Sequence, residues 1–147
     1  MAYQKYTELE VWKKARAFAS DIYLLTGKFP KEETYGLTSQ IRRCAVSVPS
    51  NIAEGSGRQH AKETVQFLTI ARGSLYELET QLYISKDINI ISAEQLNNHL
   101  NEIETIGKLI NGYIRYVNLT SQKPKVNIPL DKHPSQTTNN ETPKQPK

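Results

Sequence analysis

Leu96, Ile103, Ile110 and Val117 recur every seven residues, with Leu100 and Ile114 at the half-steps. Steps of three and four put side chains on one stripe of a 3.6-residue helix and scatter them over both faces of a strand. This segment therefore has to be a long amphipathic helix with one side buried. Leu68, Ala71, Leu75, Leu78 and Leu82 repeat the pattern upstream, the seam of helices packed alongside one another. No segment shows the apolar-polar alternation of a strand, so the chain reads as all-α.

Two more helices precede these. Leu9, Trp12, Ala15, Ala19, Ile22 and Leu25 form a stripe, with Phe18 and Tyr23 on its shoulder. Thr7 and Glu10 have the spacing of a capping box at its start, and Thr26-Gly27 stops it,. Leu37, Ile41, Ala45, Val48 and Ile52 keep helical period through Pro49, which predicts one helix kinked at the proline, not two helices. Ser92 and Gln95 offer a second capping box ahead of the heptad segment,. The expected helices span about 7–26, 32–55, 58–88 and 92–118,. Short connections make an antiparallel up-down four-helix bundle the simplest arrangement.

At 147 residues with 37% hydrophobic content, the chain supports one core, assigned to residues 1–118,. Residues 119–147 hold five of the seven prolines among Asn, Gln, Thr and Lys, and are expected to form a disordered tail,. The net charge of +4 divides unevenly, with +3 in that tail and +1 in the rest. Attraction to phosphate must therefore come from local patches or the tail. The single cysteine, Cys44, excludes an internal disulfide framework,. No apolar run approaches a membrane span and no signal-peptide core opens the chain, so the expectation is a cytoplasmic protein without a membrane partner,.

The stretch VSVPSNIAEGSGRQHAKE, residues 46–63, has glycines without the spacing of a phosphate loop, and it follows a helix where such loops follow a strand,. Its glycines read as helix punctuation. Gly55 is expected to take the left-handed conformation that closes the second helix, and Ser56 with Gln59 has capping-box spacing for the third,. His60, His99 and His133 are scattered, and Glu77 and Glu79 fall on different sides of a helix. Neither a metal site, a cofactor site nor a catalytic pair is indicated, and no enzymatic activity is expected. Glu54 and Glu63 are expected to form ion pairs with Arg58, Lys62 or the Arg42-Arg43 pair,.

Arg42, Arg43, Arg58, Lys62 and Arg72 all belong to the second and third helices or their junction. Convergence would make them a guanidinium-rich surface for RNA or DNA phosphates; otherwise they are an ordinary solvated face interleaved with Glu. Helix one adds Lys13, Lys14 and Arg16. Phe67 and Ile70, with Ile106, Leu109, Tyr113 and Tyr116, make further apolar stripes beside the main seams. Two readings fit these: burial against a second copy of the chain, or a core face widened by bulky residues.

The blocks VWKKA, YGLTSQIRR, PSNIAEG, FLTIARGSL and ELETQL, in this order, resemble the four-helix-bundle family encoded in intervening sequences of 23S ribosomal RNA genes. The resemblance covers about residues 6–118,. Cys44 stands where that family usually has Ala, and Ile88-Asn89-Ile90-Ile91 replaces the more usual Leu-Gly-Tyr-Ile. The resemblance implies a homopentamer, ring- or barrel-shaped with a central channel. A related branch, the accessory variability determinants of diversity-generating retroelements, binds nucleic acid and a reverse transcriptase through basic residues outside the barrel. Carried onto this chain, the family blocks contain Arg42, Arg43, Arg58 and Arg72, with Pro49, Ser50, Asn51, Glu54 and Gly55 in the structural motif at the proline.

Overall fold

The computed structural model describes residues 5–121, and every regular element among them is helical. Helix α1 spans Glu10–Thr26, α2 Leu37–Ser56, α3 Ala61–Asp87 and α4 Ala93–Ser121. Residue numbers rise on one helix as they fall on its neighbour: Cys44 meets Glu77, Ser47 meets Ser74 and Gly55 meets Phe67 between α2 and α3. Between α3 and α4, Arg72 meets Asn111 and Leu75 meets Gly107. The result is an antiparallel four-helix bundle. Each helix packs on its neighbours in chain order, and α1 closes against α4 along the least extensive contact of the ring.

The heptad residues do what their spacing requires. Leu68, Leu75, Leu78 and Leu82 of α3 and Ile110 of α4 are sealed from solvent, in one core with Ile22, Ile41 and Ile52. Removal of this apolar surface from water is the main stabilising term of the bundle. In α1 the buried set includes Val11 and Phe18, while Trp12 is half-buried. Trp12 packs edge-on against Tyr6, with ring centroids 5.3 Å apart.

Five boundaries differ from the sequence expectation. Thr7 does not cap α1: Tyr6–Glu8 wind into a 3-10 turn, and Leu9 precedes the helix with no side-chain cap. The Tyr6–Trp12 contact accompanies this turn, and backbone bonds such as Leu9 N–H to Tyr6 O (3.0 Å) replace the Thr cap. The second helix starts at Leu37, because Lys31–Glu33 form another 3-10 turn. There the Glu33 carboxylate reaches forward to accept the Leu37 N–H at 3.0 Å. Gly55 is not a left-handed stop; it lies inside α2, which continues to Ser56, and no glycine among the described residues has positive φ. Ser56 bonds back to the Ala53 carbonyl at 2.8 Å, so the expected Ser56-Gln59 box does not form and His60 precedes α3 without a side-chain cap. Helix α4 runs on to Ser121, which takes residues 119–121 from the expected tail; the remainder, 122–147, lies outside the described residues.

Helix α2 runs unbroken through Pro49. Proline supplies no N–H to the turn before it. Two of the carbonyls in that turn receive side-chain donors: Ser50 Oγ bonds Val46 O at 2.8 Å and Asn51 Nδ2 bonds Ser47 O at 2.8 Å. Asn51 also donates to Ser47 Oγ (2.9 Å), which in turn bonds Ser74 Oγ of α3 at 2.8 Å. The PSN segment thus fastens the proline turn to the neighbouring helix.

At the far end of α3, Asn89 has φ 60° and is the left-handed residue that ends the helix, with Ile90 N–H returning to Ser85 O at 2.8 Å. It occupies the place where the resemblance leads one to expect glycine. Asn is among the few other residues that enter this region at low cost. The Ser92-Gln95 box forms reciprocally, with Gln95 N–H to Ser92 Oγ at 3.1 Å and Ser92 N–H to Gln95 Oε1 at 2.9 Å. Ser92→Ala should lower unfolding free energy by about 1 kcal/mol, measured by urea denaturation; a change below about 0.2 kcal/mol would mean the box adds nothing beyond solvent bonds.

Candidate nucleic-acid interface

Of the two readings of the five basic residues, convergence on one surface is not what the fold gives: they are divided among separate parts of the surface. Arg42 is drawn into the α1–α2 cleft: its Nε donates to Thr26 Oγ1 at 2.8 Å, its Nη2 reaches Tyr23 O at 3.4 Å, and its guanidinium lies 4.5 Å from the Tyr23 ring centroid. This places a fixed cation at the carbonyl end of α1, where the helix dipole favours it. Arg43, one residue on, is exposed beside the same cleft. Arg58 lies near the other end of α2, roughly 24 Å along at 1.5 Å per residue. Its guanidinium covers the Phe67 ring at 4.7 Å, and Lys62 is exposed in the first turn of α3. Arg72 faces away from both, bonding Asn111 of α4 at 2.9 Å.

The expected ion pairs of Glu54 and Glu63 with these residues are not formed. Among the described residues the one ion pair is Lys108 with Glu104, exposed and four apart on α4. Arg43, Arg58 and Lys62 are therefore unpaired by carboxylates, while Arg42 and Arg72 already serve the bundle.

Two adjoining hollows of about 490 Å³ each run along the α1–α2 face, sharing Tyr23 and Val46. One continues past Arg16, Leu24 and Pro49, the other past Tyr35, Thr38, Arg42 and Arg43, and no carboxylate lines either. The crevice between α1 and α4, about 770 Å³, differs: Asp21 and Glu102 line it with Lys28 and His99. The α3–α4 hollow of about 400 Å³ has Glu79 and Glu104. Of these four hollows among the described residues, the two on the α1–α2 face combine guanidinium groups, hydroxyls and aromatic rings without opposing charge. Tyr23 and Tyr35 escaped sequence reasoning as part of a site because the pairing of Tyr23 with Arg42 spans 19 positions and leaves no local pattern.

Burial pushes the Cys44 thiol up, and the Glu77 carboxylate accepting its hydrogen bond at 3.3 Å adds to the rise, so the thiol stays protonated near neutral pH,. His99 Nδ1 lies 2.6 Å from Gln95 O, and its ring packs near Phe18. Among the described residues no cluster of three His, Cys, Asp or Glu has metal-binding geometry, and no helix is long and apolar enough to cross a membrane.

The family model for 23S rRNA-intervening sequence proteins matches residues 7–112, from the turn before α1 through most of α4. The chain belongs to this family. A search of curated proteins found no match. Among solved structures, a protein of unknown function from the S23 ribosomal protein family of Bacteroides thetaiotaomicron, a crystal structure at 1.70 Å resolution, is similar with a TM-score of 0.65. The two share 26% sequence identity over 71% of this chain and 98% of that one.

Within this family fold, the candidate interface residues also separate. Ile106 is removed from that set: its relative exposure is 0%, because the second stripe of α4 turns partly inward. Leu109 and Tyr113 are half-buried against the core, and Phe67 is half-buried beneath Arg58. Ile70 and Tyr116 remain open to solvent at 46% and 63%. Tyr76, Tyr83 and Ile84 of α3 join them as exposed apolar residues.

Proposed function

We propose that this chain is a non-enzymatic, self-associating helical scaffold that binds nucleic-acid backbones at several basic points. The observation that carries this reading is the set of exposed basic side chains, Arg43, Arg58 and Lys62, without carboxylate partners among the described residues. A cation held in solution by a folded surface gains by releasing the counterions of a polyanion. Each contact is weak alone, and a closed assembly of copies multiplies them through effective concentration. Self-association is supported by the exposed apolar residues of α3 and α4, Ile70, Tyr76, Tyr83 and Tyr116. A pentameric ring is the assembly implied by resemblance to relatives.

Gel-shift titration of structured RNA and of duplex DNA at two salt concentrations tests the reading. The Arg43→Ala/Arg58→Ala/Lys62→Ala variant should bind both less tightly by a similar factor, with a salt slope lowered by about one for each lost phosphate contact. Equal weakening is expected because phosphate contacts carry no sequence code. Arg42 and Arg72 are left intact, since replacing them also removes bonds between helices. Absence of binding at either salt would dismiss the nucleic-acid reading, leaving a protein-protein adaptor. A reverse-transcriptase gene with a variable repeat beside this one would favour a retroelement accessory subunit. A monomer mass by light scattering at micromolar protein would dismiss the assembly.

A further inference from the structure

We infer that the α1–α2 hollow is a seat for unpaired bases, so that the protein prefers single-stranded nucleic acid to duplex. This rests on the nucleic-acid reading above and assigns it a site and a strand form. Tyr35 projects from the turn before α2 with 97% relative exposure, and Tyr23 is 46% exposed. So much free aromatic surface is costly in water unless something covers it. Tyr23 is held by the Arg42 guanidinium, which Thr26 and the Tyr23 carbonyl fix in turn. Rings and guanidinium planes are the surfaces on which splayed bases stack, and every base has a π-face to offer.

The charge of the hollow points to the same occupant. Arg42 and Arg43 line it and Arg16 lines the adjoining one, neither with a carboxylate, whereas the α1–α4 and α3–α4 hollows carry acidic residues on their walls. A duplex offers phosphates to the arginines but keeps its base faces stacked inside, so it engages only the ionic half of the site.

The test uses the full-length chain and fluorescence anisotropy with a labelled oligouridylate of about twelve nucleotides, against an RNA duplex of equal length. Wild-type protein should bind the single strand about tenfold more tightly than the duplex. Tyr35→Ala should lose about tenfold on the single strand and be unchanged on the duplex, while Tyr35→Phe stays within about twofold, since the ring and not the hydroxyl stacks. Ser39→Glu, which puts a carboxylate at an exposed position lining the hollow, should also weaken the single strand. Binding of both forms with no effect of Tyr35→Ala overturns the seat and leaves the general reading intact; binding of neither removes both. A smaller assembly mass for Tyr35→Ala or Ser39→Glu by light scattering assigns the face to a second copy of the chain and also overturns the seat.

Discussion

Ile106→Ala should lower the unfolding free energy by about 3 to 4 kcal/mol and leave the association of folded protomers unchanged. Ile106 lies on α4 with no exposed surface, beside the equally sealed Leu75 and Ile110. Truncation removes buried methyl and methylene groups and leaves a void, and the four-helix frame can close it only partly. The effect should appear as a lower urea midpoint at constant slope, and as a melting temperature lower by about 10 °C. The contrasting variant is Tyr116→Asp, at a residue 63% exposed in the same stripe. It should change protomer stability by less than about 0.5 kcal/mol and dissociate the assembly if that stripe joins copies. Should Ile106→Ala instead reduce the mass in light scattering while keeping its urea midpoint, the residue would belong to an interface after all.

That pair shows where sequence reading is strong and where it stops. Periodicity assigns a residue to a stripe, and the stripe to a helix; Leu68 through Leu82 and Leu96 through Val117 were legible this way because the information is local. The Ser92-Gln95 box and the passage of α2 through Pro49 were legible for the same reason. The angular width of the buried stripe is set by how neighbouring helices press together, so Ile106 and Tyr116 share one pattern and meet different fates. The capping box at Thr7 has the same local warrant as that at Ser92, yet a 3-10 turn and the Tyr6–Trp12 contact stand in its place.

The candidate interface was less legible. Its basic residues can be listed from the sequence, but their availability depends on contacts made across the fold. Arg42 is taken by Thr26, Arg72 by Asn111, and Arg58 rests on Phe67. The aromatic partners of the α1–α2 hollow come from a helix and a turn that no short motif unites. Conversely, the PSN segment carries its own explanation once α2 is known to be continuous. The proline removes a donor, and Ser50 and Asn51 supply donors to adjacent carbonyls.

Gly55→Ala should destabilise the protein by about 1 to 3 kcal/mol, against the ordinary preference of a helix for alanine. A Cβ at Gly55 would lie 2.9 Å from Phe67 Cβ and 3.2 Å from Thr64 O. Neither obstacle is the end of a flexible side chain; one is backbone and the other a single bond from it. The α2 and α3 backbones must therefore separate, and overpacking of this kind costs about 1 to 3 kcal/mol. Separation also strains the buried bond from Thr64 Oγ1 to the Gly55 carbonyl, 2.8 Å long, whose loss adds about 1 kcal/mol. The helical propensity gained from alanine, about 1 kcal/mol, offsets part of this. Gly73→Ala is the matched control: its Cβ meets nothing within 4 Å on an exposed turn of α3, so it should stabilise by about 0.5 to 1 kcal/mol. Opposite signs in parallel urea titrations identify Gly55 as the close-approach point of the α2–α3 junction. Two stabilising variants would show that the junction yields without cost. Because Arg58 and Lys62 are carried by that junction, Gly55→Ala at temperatures where it remains folded should also weaken duplex binding, while Gly73→Ala should not.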